Sequence, residues 1–403
     1  MFYADLHIHG PYSRGTSKAL SISNLEKYAR IKGVDLLGTG DFTHPKWLQS
    51  LKAELSGEGV LRTKTDFPFL LQTEISSIYS QDGKTRKIHQ VILAPSFEVV
   101  DQINDELLKR GRLDYDGRPI FGMPAPAIVE LVMSIDPMCE VIPAHIWTPW
   151  FSLFGSRSGF DSIKDCYSDQ LKNIHAIETG LSSDPAMNWR LSQLDDYAIV
   201  SFSDLHSFWP WRIGRECTQL DCAQDYESII SAIRKNKIAS TVEVDPNYGK
   251  YHLDGHRNCD VVMTPEEAKK HNDVCPKCGK QLTIGVLHRV EELADRPEGY
   301  EPKSRPPFKT LLPLSEIIAA VSGYGIATKT AWQHYDKLLA DTSEMHVLLE
   351  MDKEELEKRT HPKIADAILK NRTGAVEVKG GYDGVYGEAQ LEAIARQKKL
   401  GDY

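Results

Sequence analysis

The sequence predicts an α/β barrel, then a small zinc-binding module, then a C-terminal helical domain, and three observations predict it. Short apolar runs alternate with helix-like stretches up to about residue 243. That β-α-β rhythm implies a parallel sheet, and seven or so units imply closure into a (β/α)7 barrel. Residues that ligate metals recur at the ends of the apolar runs, where an α/β barrel builds its active site. A His/Cys-rich segment and a proline-rich connector then break the rhythm, and only helical periodicity follows.

Met1-Phe2-Tyr3-Ala4 is the first run, and Asp5-Leu6-His7-Ile8-His9 follows it. Ser23–Lys32 has apolar positions at helical spacing and stops at Gly33, a C′ glycine. The next run, from Asp35, ends at Asp41. Glu74 follows Phe69-Leu70-Leu71-Gln72, and His89 opens the run Val91–Ala94. His145 follows Val141–Ala144, while Asp204 and His206 follow Ala198–Phe202. Helices are expected over Glu98–Arg110, Ala125–Ile135, Gly159–Leu171, Trp189–Asp195 and Asp225–Asn236. Val99–Arg118 reads as an amphipathic helix closed by a polar turn, Asp114–Pro119, an insertion near the mouth of the site. Pro246-Asn247-Tyr248-Gly249 ends the pattern, and no regular element is expected to survive the connector Pro297–Pro313. Beyond it, helices are expected at Ser315–Val321, Lys329–Ala340, Lys353–Arg359 and Ile364–Asn371. A glycine-rich loop, Lys379–Gly387, precedes a last helix. The expected domains are 1–243, 244–300 and 301–403.

A hydrophobic content of 41% and a charged content of 26% over 403 residues are those of a water-soluble chain of two or three domains. No apolar run approaches the roughly 20 residues that cross a bilayer, so no membrane partner is expected. Met1-Phe2-Tyr3-Ala4-Asp5 has no basic leader and enters a strand directly, so a cytoplasmic protein without a signal peptide is expected. Of seven cysteines, Cys139, Cys166, Cys217 and Cys222 sit among apolar neighbours as buried thiols. A net charge of −9 argues only weakly against nucleic acid, because metal ions in a cleft reverse the local field.

His7, His9, Asp41, Glu74, His89, His145, Asp204 and His206 form the imidazole-plus-carboxylate set that suits zinc, manganese or iron, and a shared carboxylate can hold two such ions together. His7 and His9 are two apart on a strand end and so point the same way. Glu178, also at a strand end, either orients a ligand, binds substrate or is plainly structural. The second cluster lies in Tyr251–Cys259 and Cys275-Pro276-Lys277-Cys278-Gly279. A Cys-x2-Cys-Gly knuckle aims two thiolates at one ion, and His256, Cys259, Cys275 and Cys278 complete a closed structural zinc site with no open position. His252 is the rival to His256. Aromatic residues crowd after two of the ligands: Trp147, Trp150, Phe151 and Phe154 after His145, then Phe208, Trp209 and Trp211 after His206. With Arg157 and Arg212 they are either core or a rim that wedges into and stacks on nucleobases.

The ordered motifs Asp5-Leu6-His7-Ile8-His9 with Tyr12-Ser13, Gly38-Thr39-Gly40-Asp41, Glu74, His89, Pro143-Ala144-His145 and Ser203-Asp204-Leu205-His206 resemble those of the polymerase and histidinol phosphatase (PHP) superfamily. The resemblance implies a distorted seven-stranded barrel whose two or three divalent ions (zinc, magnesium or manganese) hydrolyse phosphoesters. It implies one ion on His7, His9, Glu74 and Asp204, and a second, bridged by Glu74, on His89 and His145. A third would take Asp41 and His206, with His44 as a substitute ligand. Glu74, Asp204 and His206 are the candidate catalytic residues. The order of parts, barrel then zinc knuckle then helical tail with its Gly-Gly-Tyr-Asp-Gly-Val-Tyr-Gly loop, is similar over the whole chain to the archaeal endonuclease Q family. That similarity implies a DNA-repair endonuclease cutting 5′ of uracil, hypoxanthine, xanthine and abasic sites in double- or single-stranded DNA, with a replication clamp as a candidate partner. The lesion would be flipped into a pocket read by Gly180, Leu181 and Ser182, with Trp147, Trp150, Phe151, Phe208, Trp209 or Arg212 holding the gap. A histidinol-phosphate type phosphatase and a non-catalytic DNA-binding protein are the rival readings. The first has no use for 160 or so residues of tail, and the second leaves the ordered ligands unexplained.

Overall fold

The computed structural model describes residues 1–393, and its sheet is curled and mixed rather than purely parallel. The first 243 residues supply β1 (Phe2–Asp5), β2 (Leu36–Gly38), β3 (Val60–Arg62), β4 (Pro68–Gln81), β5 (Lys84–Ala94), β6 (Ile120–Phe121), β7 (Glu140–Pro143), β8 (Ala176–Glu178), β9 (Ala198–Val200), β10 (Cys217–Leu220) and β11 (Ile238–Glu243). β1, β2 and β4 run parallel. The expected rhythm then fails at Asp82-Gly83. Both residues have positive φ (53° and 72°), the conformation a two-residue hairpin needs to match strand twist, and β4 folds back onto β5. β7 extends that edge antiparallel, as β10 and β11 extend the other. β8 and β9 pair separately, and backbone bonds such as Ile146 N–H to the Glu178 carbonyl (3.1 Å) and His9 N–H to the Leu205 carbonyl (3.1 Å) tie the strand-end loops across the curl.

The helices follow local chemistry. Ile22–Lys32 starts where the Ser21 side chain accepts from Asn24 N–H, and it stops at Gly33, whose φ of 89° a glycine adopts without strain. Ala125–Ile135 and Lys353–Arg359 lie where the periodicity puts them. Gly159–Leu171 shortens to Ile163–Tyr167 and a 3-10 turn. The helix expected at Trp189–Asp195 shrinks to a 3-10 turn, Ser192–Leu194. Asp184 caps an earlier turn, Pro185–Asn188, with Pro185 at its first position, and Trp189 is already its C-cap. Pro45–Glu54 and Glu344–Leu349 are helices that the periodicity did not announce.

β12 (Asp254–His256) and β13 (Val261–Met263) form the small hairpin of the His/Cys-rich segment. The proline-rich connector does carry a strand, contrary to expectation: β14 (Phe308–Thr310) follows Pro306-Pro307 and pairs with β11. It lies at the sheet edge, where prolines are tolerated. Helices Leu314–Ser322, Lys329–Leu338 and Pro362–Arg372 bury Ile317, Ile318, Leu338, Ile364 and Ile368 in one core that continues into Cys217 and Val242 of the sheet. Lys32, 1% exposed, fastens this region to the barrel: its Nζ lies 2.6 Å from Glu344 Oε1 and donates to the Pro210 carbonyl at 3.0 Å. The glycine-rich loop joins β15 (Glu377–Lys379) to β16 (Glu388–Gln390). The helix expected after it lies outside the described residues. No described helix is long and apolar enough to cross a membrane.

Candidate metal centre

His7 and His9 continue the line of β1 and are both fully buried. Asp5, equally buried, is not a ligand. It accepts from Ser203 N–H (2.9 Å) and Gly214 N–H (3.0 Å), which fixes the loop carrying Asp204 beside β1. Glu74 and His89 lie mid-strand rather than at strand ends, because β4 and β5 run on past the apolar residues to the hairpin. Glu74 stands opposite Val91 and Ser76 opposite His89, so the carboxylate and the imidazole share one face as diagonal neighbours. His145 and Asp204 sit at left-handed φ of 30° and 46°, as Asp41 does at 43°, an uncommon conformation for non-glycine residues that concentrates at functional sites. Gly180 is required beside them, since a Cβ there would lie 2.4 Å from that of His145.

The side chains converge on two groups. Ligand atoms of His7, His9 and Asp204 lie within 4.8 Å of one another, as do those of Glu74, His89 and His145. Glu74 faces both with different oxygens. Oε1 is 2.6 Å from His89 Nδ1 and 3.2 Å from His145 Nε2; Oε2 is 3.3 Å from His9 Nε2 and 3.6 Å from His7 Nε2. His7 Nε2, His9 Nε2 and Asp204 Oδ1 are buried without a hydrogen bond, although His9 Nε2 and Asp204 Oδ1 are 3.0 Å apart. Converging lone-pair atoms left unpaired in the interior fit a cation. Burial alone would raise the Glu74 carboxyl; His89, Arg118 and His7 overcome it and hold the group well below the ordinary carboxylate range. Burial lowers His89 to about 4, against the upward pull of Glu74.

Behind the two groups stand supporting residues. His7 Nδ1 lies 2.9 and 3.0 Å from the two Glu178 oxygens, and Glu178 also accepts from His145 N–H at 2.8 Å. Of the roles open to Glu178, orientation of ligands is the one its contacts describe. Asp41 lies against His9 in the same way, and the third ion expected on Asp41 and His206 stays a proposal. Asp41 Oδ1 is 2.9 Å from His9 Nδ1, while Oδ2 accepts from Gly10 N–H (2.6 Å) and Ser13 Oγ (2.7 Å). Both of its oxygens are engaged within the protein. His206 packs its ring 4.7 Å from that of His9, one-third exposed at the mouth, and belongs to neither group. His44 stacks on Tyr12 at 4.2 Å instead of reaching the ligands.

Arg118 went unnoticed in the sequence, although the insertion that carries it was placed at the mouth. The turn is fixed by Gly117 N–H to the Tyr12 carbonyl (3.1 Å) and Thr43 Oγ1 to the Gly117 carbonyl (3.1 Å), and Arg118 Nη1 reaches Glu74 Oε2 at 3.1 Å. Only its place in a polar turn beside a predicted site could have singled it out.

The aromatic residues divide. Trp147 is buried, with its Nε1–H donating to Asn188 Oδ1 at 2.8 Å, and Phe154 packs on it 4.9 Å away; both are core, not rim. Phe208 is buried against Tyr28. Phe151, 4.6 Å from the His89 ring, does face the site, while Trp150, 39% exposed, meets Tyr251 edge-on at 5.7 Å. Trp209 and Trp211 stack at 5.5 Å and meet Trp332 of the helical region. Leu181 and Arg212 line one small cavity with Arg215, Tyr248, Glu316 and Tyr386, while Ser182 lies buried beside it.

His256, Cys259, Cys275 and Cys278 bring their ligand atoms within 4.8 Å of one another, with Cys278 Sγ 3.4 Å from His256 Nδ1. His252 is buried apart from them. The knuckle closes through Gly279 N–H to the Cys275 carbonyl (2.8 Å), with Gly279 at φ 73°. Four donors of this chemistry fit a structural zinc ion.

Residues 313–375 match the family of the MJ0043 C-terminal domain. The chain is 41% identical over 257 residues to the uncharacterized protein MJ0043 of Methanocaldococcus jannaschii, a match covering 62% of this chain and 32% of that protein, so it spans about a third of that relative's length. It is 30% identical to the uncharacterized protein YqxK of Bacillus subtilis, over 96% of this chain and 98% of that one. Among solved structures it is similar to the lesion-specific endonuclease PfuEndoQ of Pyrococcus furiosus, at 32% identity and a TM-score of 0.86, covering 97% of this chain and 95% of that one. It is equally similar to an endonuclease Q solved with a 27-mer duplex carrying an abasic lesion at its active site, at 31% identity and a TM-score of 0.87, covering 97% and 96%. The fold and its paired ligand groups define a metal-dependent hydrolytic enzyme. The chain belongs to the endonuclease Q family.

Proposed function

We propose that this protein is a DNA-repair endonuclease that hydrolyses the phosphodiester on the 5′ side of deaminated bases (uracil, hypoxanthine, xanthine) and abasic sites. The observation that carries the reading is Glu74, which presents one oxygen to each ligand group, the arrangement for holding two cations side by side. Divalent ions held by His7, His9 and Asp204 and by His89 and His145 would supply Lewis acidity and a water of lowered pKa. The chain's own residues do the rest. Glu178 and Asp41 lock the tautomer and direction of His7 and His9. Arg118, at the mouth, is placed to bind a non-bridging phosphate oxygen with a charged, forked donor. Asp204 and His206 stand where the reacting phosphate would lie.

The cavity of Leu181, Arg212, Tyr248, Glu316 and Tyr386 adjoins the site from two sides. Leu181 follows Gly180, which touches His145, and Arg215 donates to the carbonyl of Ser203, the residue before Asp204. A flipped base would be read by its carbonyl and ring N–H, which cytosine and adenine lack in that arrangement. Two unpaired polar groups at about 1–3 kcal/mol each give roughly 30- to 10⁴-fold discrimination. The endonuclease Q solved on abasic duplex supports DNA as the substrate. A nicking assay on uracil, hypoxanthine, abasic and undamaged duplexes, with and without chelator, tests the reading. Metal-dependent nicks 5′ of the lesions are expected, and equal cutting of undamaged duplex would overturn it.

A further inference from the structure

We propose that the cleft between the β4–β5 hairpin and the loop 155–168 holds the phosphate backbone of duplex DNA flanking the cut. The proposal rests on the endonuclease reading and adds a second anchoring site to it. The cleft measures about 890 Å³, and in a chain of net charge −9 it is lined by five basic residues, Lys84, Arg86, Arg157, Lys164 and Arg289, against three acidic ones. Asp161 pairs with Arg289, which leaves four basic residues against two acidic ones. Lys84 and Lys164 are exposed and make no ion pair within 4 Å among the described residues. Arg86 lies flat on Phe160 with its guanidinium 4.0 Å from the ring centroid, and its Nε is buried without an acceptor.

The cleft is continuous with the metal centre along β5. His89, Lys87 and Thr85 alternate onto one face of that strand, at about 6.8 Å per step. Phe151 bridges the first step, with its ring 4.6 Å from His89 and 5.3 Å from Lys87 Nζ. From His89 to Lys84, which projects from the opposite face at the hairpin end, the strand advances about 17 Å. A DNA strand carries one charge per about 3.4 Å of helix axis, so a phosphate over Lys84 lies about five base pairs from the cut. Partners of this spacing and sign are those of a duplex flank.

Binding of a 30-base-pair duplex with one central tetrahydrofuran abasic analogue, measured by fluorescence anisotropy in chelator from 50 to 300 mM salt, tests the assignment. Lys84→Glu/Lys164→Glu should weaken binding about ten-fold or more at 150 mM. The logarithmic salt slope should fall by about 2, at 0.9 per lost phosphate contact. Lys235→Glu/Lys237→Glu carries the same charge change at exposed positions before β11, away from the cleft, and should bind within about two-fold of the parent. Trimming one flank, not the other, to under five base pairs should erase the difference. Equal losses in the two variants, or no loss in the first, would overturn the cleft assignment. Because binding is read without turnover, the two readings separate. A parent that binds through the cleft but cuts no lesion removes the endonuclease reading alone, and a parent that cuts while the cleft variant binds normally removes the cleft alone.

Discussion

Glu178 holds His7 Nδ1 with both carboxylate oxygens, at 2.9 and 3.0 Å, and takes His145 N–H with one of them. One residue therefore aligns a ligand of each metal group, while Glu74 joins the groups from the opposite side. The two carboxylates differ in what their loss should do. Glu74→Gln removes the charge between two cations, so metal content and cleavage should both collapse in a folded protein. Glu178→Gln keeps an acceptor for His7 but lowers the ligand's basicity. Metal affinity should fall about 10- to 100-fold, with activity restored by added metal. Titration of apoprotein with manganese, followed by nicking rate and calorimetry, separates the two, and a Glu178→Gln protein with wild-type affinity would remove the orienting role.

Arg118 makes the second prediction. Removing one charged donor to a developing phosphate charge typically costs about 10²–10³ in turnover. Arg118→Ala should lose about that much in kcat on lesion DNA with metal content unchanged, and Arg118→Lys, without the fork, should recover only part. A variant whose KM alone rises would mark Arg118 as a ground-state DNA contact.

What the sequence disclosed follows from how each residue is held. His7, His9, His145 and Asp204 lie at or just past strand ends, and buried strands are visible as apolar runs. Asp41 follows a strand as the other candidates do, and spacing does not tell a carboxylate that binds an ion from one that backs a histidine, as Asp41 backs His9 here. The gathering of His256, Cys259, Cys275 and Cys278 was legible because a knuckle is local. Barrel regularity was overestimated. The two-residue turn at Asp82-Gly83 reverses the sheet's direction, and periodicity alone does not report direction. For Trp147 and Phe154 core and rim were both open, and only the fold, with Asn188 accepting the indole N–H, decides for core.

The zinc knuckle makes the third prediction, because its surroundings reach the barrel. Arg157 Nη2 donates to the Leu282 carbonyl at 3.2 Å, and Arg289 Nε donates to the Phe154 carbonyl at 3.0 Å, tying the module to the loop that follows His145. Structural zinc supplies folding energy directly. Cys278→Ser should lose one equivalent of zinc and expose residues 245–285 to proteolysis. Lesion cleavage should be lost, while hydrolysis of a small generic phosphodiester persists. Elemental analysis checks the first point, and unchanged zinc would refute the tetrad.

The last prediction concerns two carboxyls buried beneath the site. Glu243 accepts from Thr241, Thr179 and Ser201 hydroxyls, and Glu216 accepts from Val244 N–H at 3.2 Å with its other oxygen unpartnered. Burial raises both above the ordinary range, and in Glu216 the neighbouring Glu243 charge adds to burial while Arg215 offsets only part. A carboxyl raised in the folded state keeps a proton that the unfolded chain has released above about pH 4.3. The folded state then binds more protons, so this contribution to stability is full at low pH and is lost as pH rises towards the folded pKa, by up to about 1.4 kcal/mol per pH unit for one proton. Glu216→Gln, which cannot ionise and keeps an acceptor for Val244, should flatten that decline between pH 5 and 8. Urea denaturation midpoints across that window read it. A variant with the parent's slope would show that Glu216 does not hold the proton.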